Sequence, residues 1–258
     1  MWLVSGMEST RLLRFMSADF ERMREIAAKD LSAPVPSCPG WLVADLVRHL
    51  GFVYLHKVEA MRQGRAPEPW PPEGLEGAEP LAVLDDAWSR LAAELGSREP
   101  AAPTYTWYEP DQSVGFWVRR MAQETVIHRI DAELALASTV APVPRELALD
   151  GVDEVLVIFL AYATGLWCED FGDDLAGADG RPVLVSTGGS GWLVRAGAEG
   201  VSVEAGVGPG PVPAAATIRA EPESMLRWLW GRGGSGVAIE GDAELVARLR
   251  RLLVTATQ

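Results

Sequence analysis

The central segment of the chain, residues 113–138, constrains the fold most because its pattern predicts one long helix. Its sequence is SVGFWVRRMAQETVIHRIDAELALAS, and no proline interrupts it. Glu124 and His128 lie four residues apart, so a helix places the carboxylate and the imidazole on one face. Apolar residues of the same segment provide surface for packing among other helices: Trp117, Met121, Ile127 and Leu134. A buried carboxylate needs a partner, and a metal ion is one such partner.

Three segments ahead of this helix also repeat apolar residues at helical spacing, at about 8–29, 42–62 and 80–95. Connections rich in proline and glycine separate them. Four long helices joined by loops predict a four-helix bundle. A fifth apolar helical pattern, at about 149–167, leads out of this half of the chain.

The pattern changes at residue 181, where short runs rich in β-branched residues alternate with glycine turns. The runs PVLVSTGGSGWLVRAG and GVSVEAG predict a meander of antiparallel strands, and AAATIRA and VAIEG predict two more strands. Two helices complete this half, and Asp242 is placed to cap the second. We therefore predict an α+β protein of two domains. Residues 1–176 form the helical bundle with its fifth helix, and residues 177–258 form a small α+β domain.

Composition narrows the possible partners and the compartment. The net charge of -13 over 258 residues would repel nucleic acid and anionic membrane surfaces. No apolar run approaches the length of a membrane helix, and the first residues do not resemble a signal peptide, so we expect a cytoplasmic protein. Cys38 and Cys168 are too few for a disulfide scaffold. Arginine greatly outnumbers lysine, a bias typical of a GC-rich bacterial coding sequence.

The chain has three histidines, at positions 49, 56 and 128, so a histidine-based metal site has few possible ligands. His49 lies on the apolar side of the second helix, and with Glu124 and His128 it would supply three ligands and leave an open position. The alternative is that His49 is a core histidine and that Glu124 pairs with an arginine such as Arg120. Spacing alone leaves both interpretations open.

Two stretches carry a resemblance to a known family. GWLVADLVRHLG and RRMAQETVIHRIDAELA, followed by an α+β tail, resemble the mycothiol-dependent maleylpyruvate isomerase family over nearly the whole chain. The resemblance implies a DinB-like metal-binding four-helix bundle and a small sterol-carrier-protein-like α+β domain. It also implies that His49, Glu124 and His128 bind a divalent metal, usually zinc.

The resemblance further implies an activity. In this family the thiol cosubstrate is mycothiol, the small cysteine-containing thiol of actinobacteria, and a thiol bound to a metal loses its proton at neutral pH. The expected enzyme is a mycothiol-dependent S-transferase or a maleylpyruvate-type cis-trans isomerase, in which the metal-bound thiolate attacks a small electrophile in a cleft between the domains. The partners are thus an electrophile and a low-molecular-weight thiol. The loops at 65–80 and 105–110 are where the family places binding-cavity residues.

The resemblance also points to Arg232 as a catalytic residue that holds a substrate carboxylate, which suits the planar guanidinium. The alternative is a turn arginine that caps the preceding helix. Asp45, four residues before His49, and Asp131, three residues after His128, each could hydrogen-bond to the ring nitrogen that does not bind metal. A solvent-exposed acid at a helix start and an intrahelical ion pair are the respective alternatives.

Two other function classes remain open from the sequence. One is a non-catalytic metal- or ligand-binding regulatory protein that keeps the bundle. The other is a metal-dependent hydrolase that uses bound water as its nucleophile. His56, seven residues beyond His49, is expected to be a packing or cavity residue.

Overall fold

The computed structural model describes residues 7–71, 74–75, 77–208 and 212–257. The chain divides into two compact units, of which one is Glu8–Ala141 and the other contains Pro142–Gln258. The predicted α+β class is confirmed, because four long helices precede a unit that combines helices with a five-stranded sheet.

The first unit is the predicted four-helix bundle. Its helices are α1 (Ser9–Ala27), α2 (Val43–Gln63), α3 (Pro80–Gly96) and α4 (Val114–Ala135). Helix α2 packs against both α3 and α4, and α1 packs against α4. The predicted helical segments match these elements, because each apolar stripe becomes the buried side of its helix.

Local side-chain contacts explain where three of these helices begin. Asp45 accepts a hydrogen bond from the backbone N–H of Leu42 at 2.9 Å, at the start of α2. Glu79 accepts from the N–H of Ala82 at 2.8 Å before α3, and Ser113 Oγ accepts from the N–H of Phe116 at 3.2 Å before α4. Each contact satisfies an N–H group that has no partner inside the helix.

Helix α4 is buried on nearly all sides, although it carries many polar groups. Its buried apolar residues include Trp117 and Met121. Arg129 and Glu133 form an ion pair of 2.7 Å on the side that faces α1. Among the described residues, no helix is both long enough and apolar enough to cross a membrane.

The second unit begins with α5 (Arg145–Glu154), which continues without a break into a π-helical stretch, Val155–Tyr162, and α6 (Ala163–Leu166). A short 3-10 turn and α7 (Gly172–Ala176) lead to the sheet. Helices α8 (Pro222–Leu229) and α9 (Ala243–Ala256) pack on this sheet, and Asp242 caps α9 as predicted.

The sheet has the order β3-β2-β1-β4-β5, from strands β1 (Pro182–Thr187), β2 (Ser190–Gly197), β3 (Gly200–Ala205), β4 (Ala216–Ala220) and β5 (Ala238–Gly241). Strands β1, β2 and β3 form the predicted antiparallel meander. Strand β4 then pairs parallel to β1, so the complete sheet is mixed.

The boundary between the two units follows Ala141, earlier in the chain than the predicted boundary at residues 176 and 177. The predicted fifth helix therefore belongs to the second unit and not to the bundle. The physical reason is its packing, because α5 contacts α8 and the π-helical stretch contacts β3 and α9. Its apolar residues, such as Leu156 and Leu160, are buried there.

Candidate metal centre

Helices α2 and α4 bring the three predicted ligands together. His49 Nε2 lies 3.3 Å from Glu124 Oε1, and His128 Nε2 lies 3.2 Å from the same oxygen. One nitrogen or oxygen atom from each of the three residues lies within 4.8 Å of the other two. The two imidazole rings meet edge to face with centroids 5.0 Å apart. The residues thus form one compact N,O,N cluster.

The donor set and its spacing fit a divalent ion. Zinc binds histidine nitrogen and carboxylate oxygen at about 2.0–2.2 Å, so two ligands at tetrahedral angles lie about 3.4 Å apart. The observed separations of 3.3 and 3.2 Å are close to this value. The His49 side chain is 37% exposed, which leaves one side of the cluster accessible to solvent.

Arg120 fixes the other oxygen of Glu124. Its Nη2 donates to Glu124 Oε2 from one turn earlier on α4, so Oε1 is left to face the two histidines. Burial alone would raise the pKa of Glu124, but the charge of Arg120 and hydrogen bonds from His128 and His49 hold it well below its usual range. The pairing of Glu124 with Arg120, one of the two sequence alternatives, is thus observed at Oε2, and metal binding through Oε1 stays a prediction.

His128 is held on both ring nitrogens. Its Nδ1 lies 3.0 Å from Asp131 Oδ2, and Ser37 Oγ donates to Asp131 Oδ1 at 2.5 Å. Burial would lower the pKa of His128, but the hydrogen bonds to Asp131 and Glu124 outweigh it and raise the pKa to about 9. A carboxylate behind the imidazole of a ligand is the common arrangement around metal sites in proteins.

Asp45 does not have the same role toward His49. Its carboxylate bonds to the N–H of Leu42, so the alternative of an acid at the helix start is the one observed. Helix α2 begins at Val43, which places Asp45 in its first turn. The ring of His49 is instead flanked by Trp41, with centroids 5.0 Å apart.

Lys57 is a residue of this region that the sequence analysis missed. Its Nζ lies 4.9 Å from the ring centre of Trp117 on α4 and 3.3 Å from His56 Nδ1. His56 also packs edge to face on Trp70, with centroids 4.9 Å apart. His56 is therefore a packing residue, as expected. The sequence offered one signal for Lys57, which is that the chain contains only two lysines.

Arg232 lies in the second unit, in the turn after α8. Its Nη1 donates to the carbonyl oxygen of Trp230 at 2.6 Å, and its backbone N–H donates to the carbonyl of Arg227 at 2.7 Å. The guanidinium carbon lies 5.7 Å from the centre of the Trp230 ring. These contacts fit the alternative of an arginine that caps a helix end. Its role toward a substrate carboxylate stays a prediction.

The fold and this cluster define a class of protein in which a four-helix bundle carries a candidate metal centre and an α+β domain follows. Two family models match the two parts of the chain. The model described as "Mycothiol maleylpyruvate isomerase N-terminal domain" matches residues 16–133, and the model described as "MDMPI C-terminal domain" matches residues 146–248. The chain belongs to the mycothiol-dependent maleylpyruvate isomerase family.

Two solved structures, both with a TM-score of 0.61, support the same fold. The chain is similar to "Crystal structure of the mycothiol-dependent maleylpyruvate isomerase" with 13% identity and a TM-score of 0.61, over 94% of this chain and 98% of that one. A single-site histidine-to-alanine mutant of that isomerase matches over the same shares, 94% and 98%, with 12% identity and a TM-score of 0.61. A "UbiJ-SCP2 Ubiquinone synthesis protein" covers 45% of this chain and 94% of its own at 19% identity, with a TM-score of 0.26. A search of curated protein sequences found no match.

Proposed function

We propose that this protein is a cytoplasmic, mycothiol-dependent thiol transferase or cis-trans isomerase whose His49, Glu124 and His128 hold a divalent metal ion, with zinc as the first choice. The observation that carries the proposal is the compact cluster of these three side chains. Family membership supports mycothiol as the thiol cosubstrate.

The bound ion would supply a Lewis acid that lowers the pKa of a thiol, so that the thiolate nucleophile is present at neutral pH. The chain's own residues prepare the site for it. Arg120 holds one oxygen of Glu124 so that the other faces the histidines. Asp131 accepts a hydrogen bond from His128 Nδ1–H and thereby favours a free Nε2 for the metal.

The electrophile is a small molecule with a carbon that accepts the thiolate, such as a conjugated diacid. Addition forms a carbon–sulfur bond and breaks the carbon–carbon π bond, whose electron pair moves onto the conjugated carbonyl oxygen. In an isomerase, rotation about the resulting single bond and return of the electron pair expel the thiolate and give the trans product. In a transferase, the adduct takes up a proton from solvent and keeps the carbon–sulfur bond. Arg232 remains our proposed contact for a substrate carboxylate.

Thermal stability with added thiols tests the proposal. We expect mycothiol to raise the melting temperature of the zinc-loaded protein, and glutathione and free cysteine to raise it less, because a ligand of the native state stabilises by mass action. A chelator should abolish the mycothiol shift. A shift that persists in chelator would indicate a regulatory ligand-binding protein, and ester hydrolysis without any thiol effect would indicate the hydrolase.

Paired histidine variants make this test specific. His49→Ala should lose the mycothiol shift, because it removes a proposed ligand. His56→Ala is the matched control on the same helix, since His56 packs on Trp70 and lies outside the ligand cluster. Equal mycothiol shifts in the two variants would contradict the proposal.

A further inference from the structure

Lys57 lies on the same pair of packed helices, α2 and α4, as the metal cluster. It follows His49 by eight residues on α2, which puts its Cα about 12 Å further along the helix axis. Trp117, which it contacts, precedes Glu124 by seven residues and lies on the same face of α4. Later positions on α2 therefore meet earlier positions on α4, and the two helices run antiparallel. Lys57 therefore lies against α4, further along the same helix pair that carries the metal ligands.

The Lys57 ammonium has an incomplete set of partners. Its contacts are the aromatic face of Trp117 and His56 Nδ1, and in the described part of the chain it forms no ion pair with a carboxylate. Burial lowers the pKa of Lys57 to about 8, with the charge of Glu124 opposing this effect and that of Arg120 adding to it. The side chain thus remains a cation at neutral pH, and a partly buried cation favours an anionic partner.

A divalent ion at the cluster would strengthen the preference of Lys57 for an anion. Arg120 pairs with Glu124, and a divalent ion at the cluster would add two positive charges that Asp131 only partly offsets. Helical side chains lean toward the N-terminus of their helix, so the Lys57 chain leans toward His49. With a divalent ion bound at the cluster, the formal charges near the Lys57 ammonium would sum to a positive value and would favour an anionic ligand there.

Rigid aromatic groups flank Lys57 on both sides. Trp117 is fully buried, and its Nε1 donates to the carbonyl of Tyr105 at 2.8 Å, which fixes the ring at one of the two loops predicted to line the cavity. His56 packs on Trp70 from the other loop. The ammonium is thus held between these loops with restricted freedom, as a preorganised binding group requires.

We propose that Lys57 binds a carboxylate of the electrophilic substrate and so makes the site selective for organic acids. This inference rests on the proposed function, because it assigns a specificity residue to the same site. A charge-assisted hydrogen bond from the ammonium would orient the acid with its reactive carbon toward the metal cluster.

Steady-state kinetics of the zinc-loaded full chain, with mycothiol and maleylpyruvate as substrates, test this assignment. Lys57→Met should raise the KM for maleylpyruvate about tenfold or more, because loss of a charge-assisted bond is an effect of this order. The KM for mycothiol should stay unchanged. Lys57→Arg should recover part of the loss. Lys29→Met is the matched control, since Lys29 is the only other lysine and lies exposed at the end of α1.

Two kinetic outcomes would overturn the assignment. One is a KM for maleylpyruvate in Lys57→Met equal to that of Lys29→Met. The other is a rise confined to the KM for mycothiol, which would place the thiol and not the acid at Lys57.

A binding measurement separates this inference from the proposed function. Reductive methylation with ¹³C-formaldehyde gives two lysine signals, and Lys57→Met identifies the one from Lys57. Maleate added to the zinc-loaded protein without thiol should shift the Lys57 signal and raise its titration midpoint. The Lys29 signal should not move. A stationary Lys57 signal would refute carboxylate binding, whereas a shift without turnover would support it and count against the thiol enzyme.

Discussion

At the scale of single residues, the site depends on how one carboxylate and one imidazole divide their contacts. Glu124 gives one oxygen to Arg120 and the other to the two histidines. His128 gives one nitrogen to Asp131 and the other to Glu124. In the metal-free state a proton on His128 Nε2 can occupy the place that a metal would take. Binding of the proposed metal would thus be coupled to the loss of this proton.

Metal affinity should therefore depend on pH. The raised pKa of His128, about 9 against an ordinary value of 6.5, stabilises the metal-free fold below pH 6.5, and this contribution is lost as the pH rises through 9. The affinity for zinc should instead rise with pH, because zinc binds the neutral imidazole. We expect affinity to fall about tenfold per pH unit below 9 while one proton is displaced. Calorimetry in buffers of different ionisation enthalpy measures the proton release, and pH-independent affinity from pH 7 to 9 would contradict the coupling.

Asp131 should matter for metal affinity, whereas Asp45 should not. Asp131→Asn removes the charge behind His128, and changes of this kind typically weaken metal binding about 10- to 100-fold. Asp45→Asn is the control, because asparagine still accepts a hydrogen bond from the N–H of Leu42. Competition with a zinc-binding dye would measure both variants. Equal affinities would show that the contact of Asp131 with His128 does not support the metal.

At the scale of secondary structure, α4 supplies most of the site. Arg120, Glu124 and His128 lie at intervals of four on it, with Asp131 three residues further, and this spacing was readable from the sequence. The antiparallel alignment of α2 and α4 was not readable, because it depends on packing, and Lys57 was missed for that reason. Asp45 was given two roles because sequence spacing does not decide whether a carboxylate in the first turn of α2 bonds to the helix start or to the imidazole four residues later.

The strands and helices of the second unit were predictable from the sequence about as well as the helices of the first unit. Alternating β-branched residues and glycine turns indicated all five strands, but the parallel pairing of β1 with β4 is a long-range contact that local patterns do not encode. The fifth helix was recognised as apolar and assigned to the wrong domain. An apolar face indicates that a helix is buried, but it does not identify the surface that covers it.

The cap of α4, Ser113, should stabilise the bundle, and it is not one of the proposed metal ligands. Ser113→Ala removes the hydrogen bond to the N–H of Phe116, and loss of such a cap costs about 1 kcal/mol. Ser113→Thr should retain most of the stability, since threonine also caps. Urea unfolding of the metal-free protein measures both changes. An unaltered midpoint in Ser113→Ala would contradict the role of this cap.

At the scale of the whole molecule, two compact units divide the chain, and all three proposed ligands belong to the first. The apolar run Val155–Tyr162 belongs to the second, where it packs against β3 and α9. Metal binding is therefore expected to be a property of the bundle. The proposed recognition of an organic acid by Arg232 would be a property of the other unit.

Two fragments test this division. Residues 8–141 should be monodisperse and bind zinc, because they contain every proposed ligand. Residues 8–176 should aggregate, since they carry the apolar helix without the sheet and helices that bury it. Size-exclusion chromatography distinguishes the two. A soluble 8–176 fragment together with an aggregated 8–141 fragment would restore the boundary predicted from the sequence.

The account rests on the claim that His49, Glu124 and His128 hold a metal ion, and metal analysis of purified protein tests it most directly. Elemental analysis should find about one equivalent of a divalent metal in the wild-type chain and in His56→Ala. Glu124→Ala, purified in the same way, should retain almost none while circular dichroism shows an intact fold. A full equivalent of metal in folded Glu124→Ala would contradict the claim.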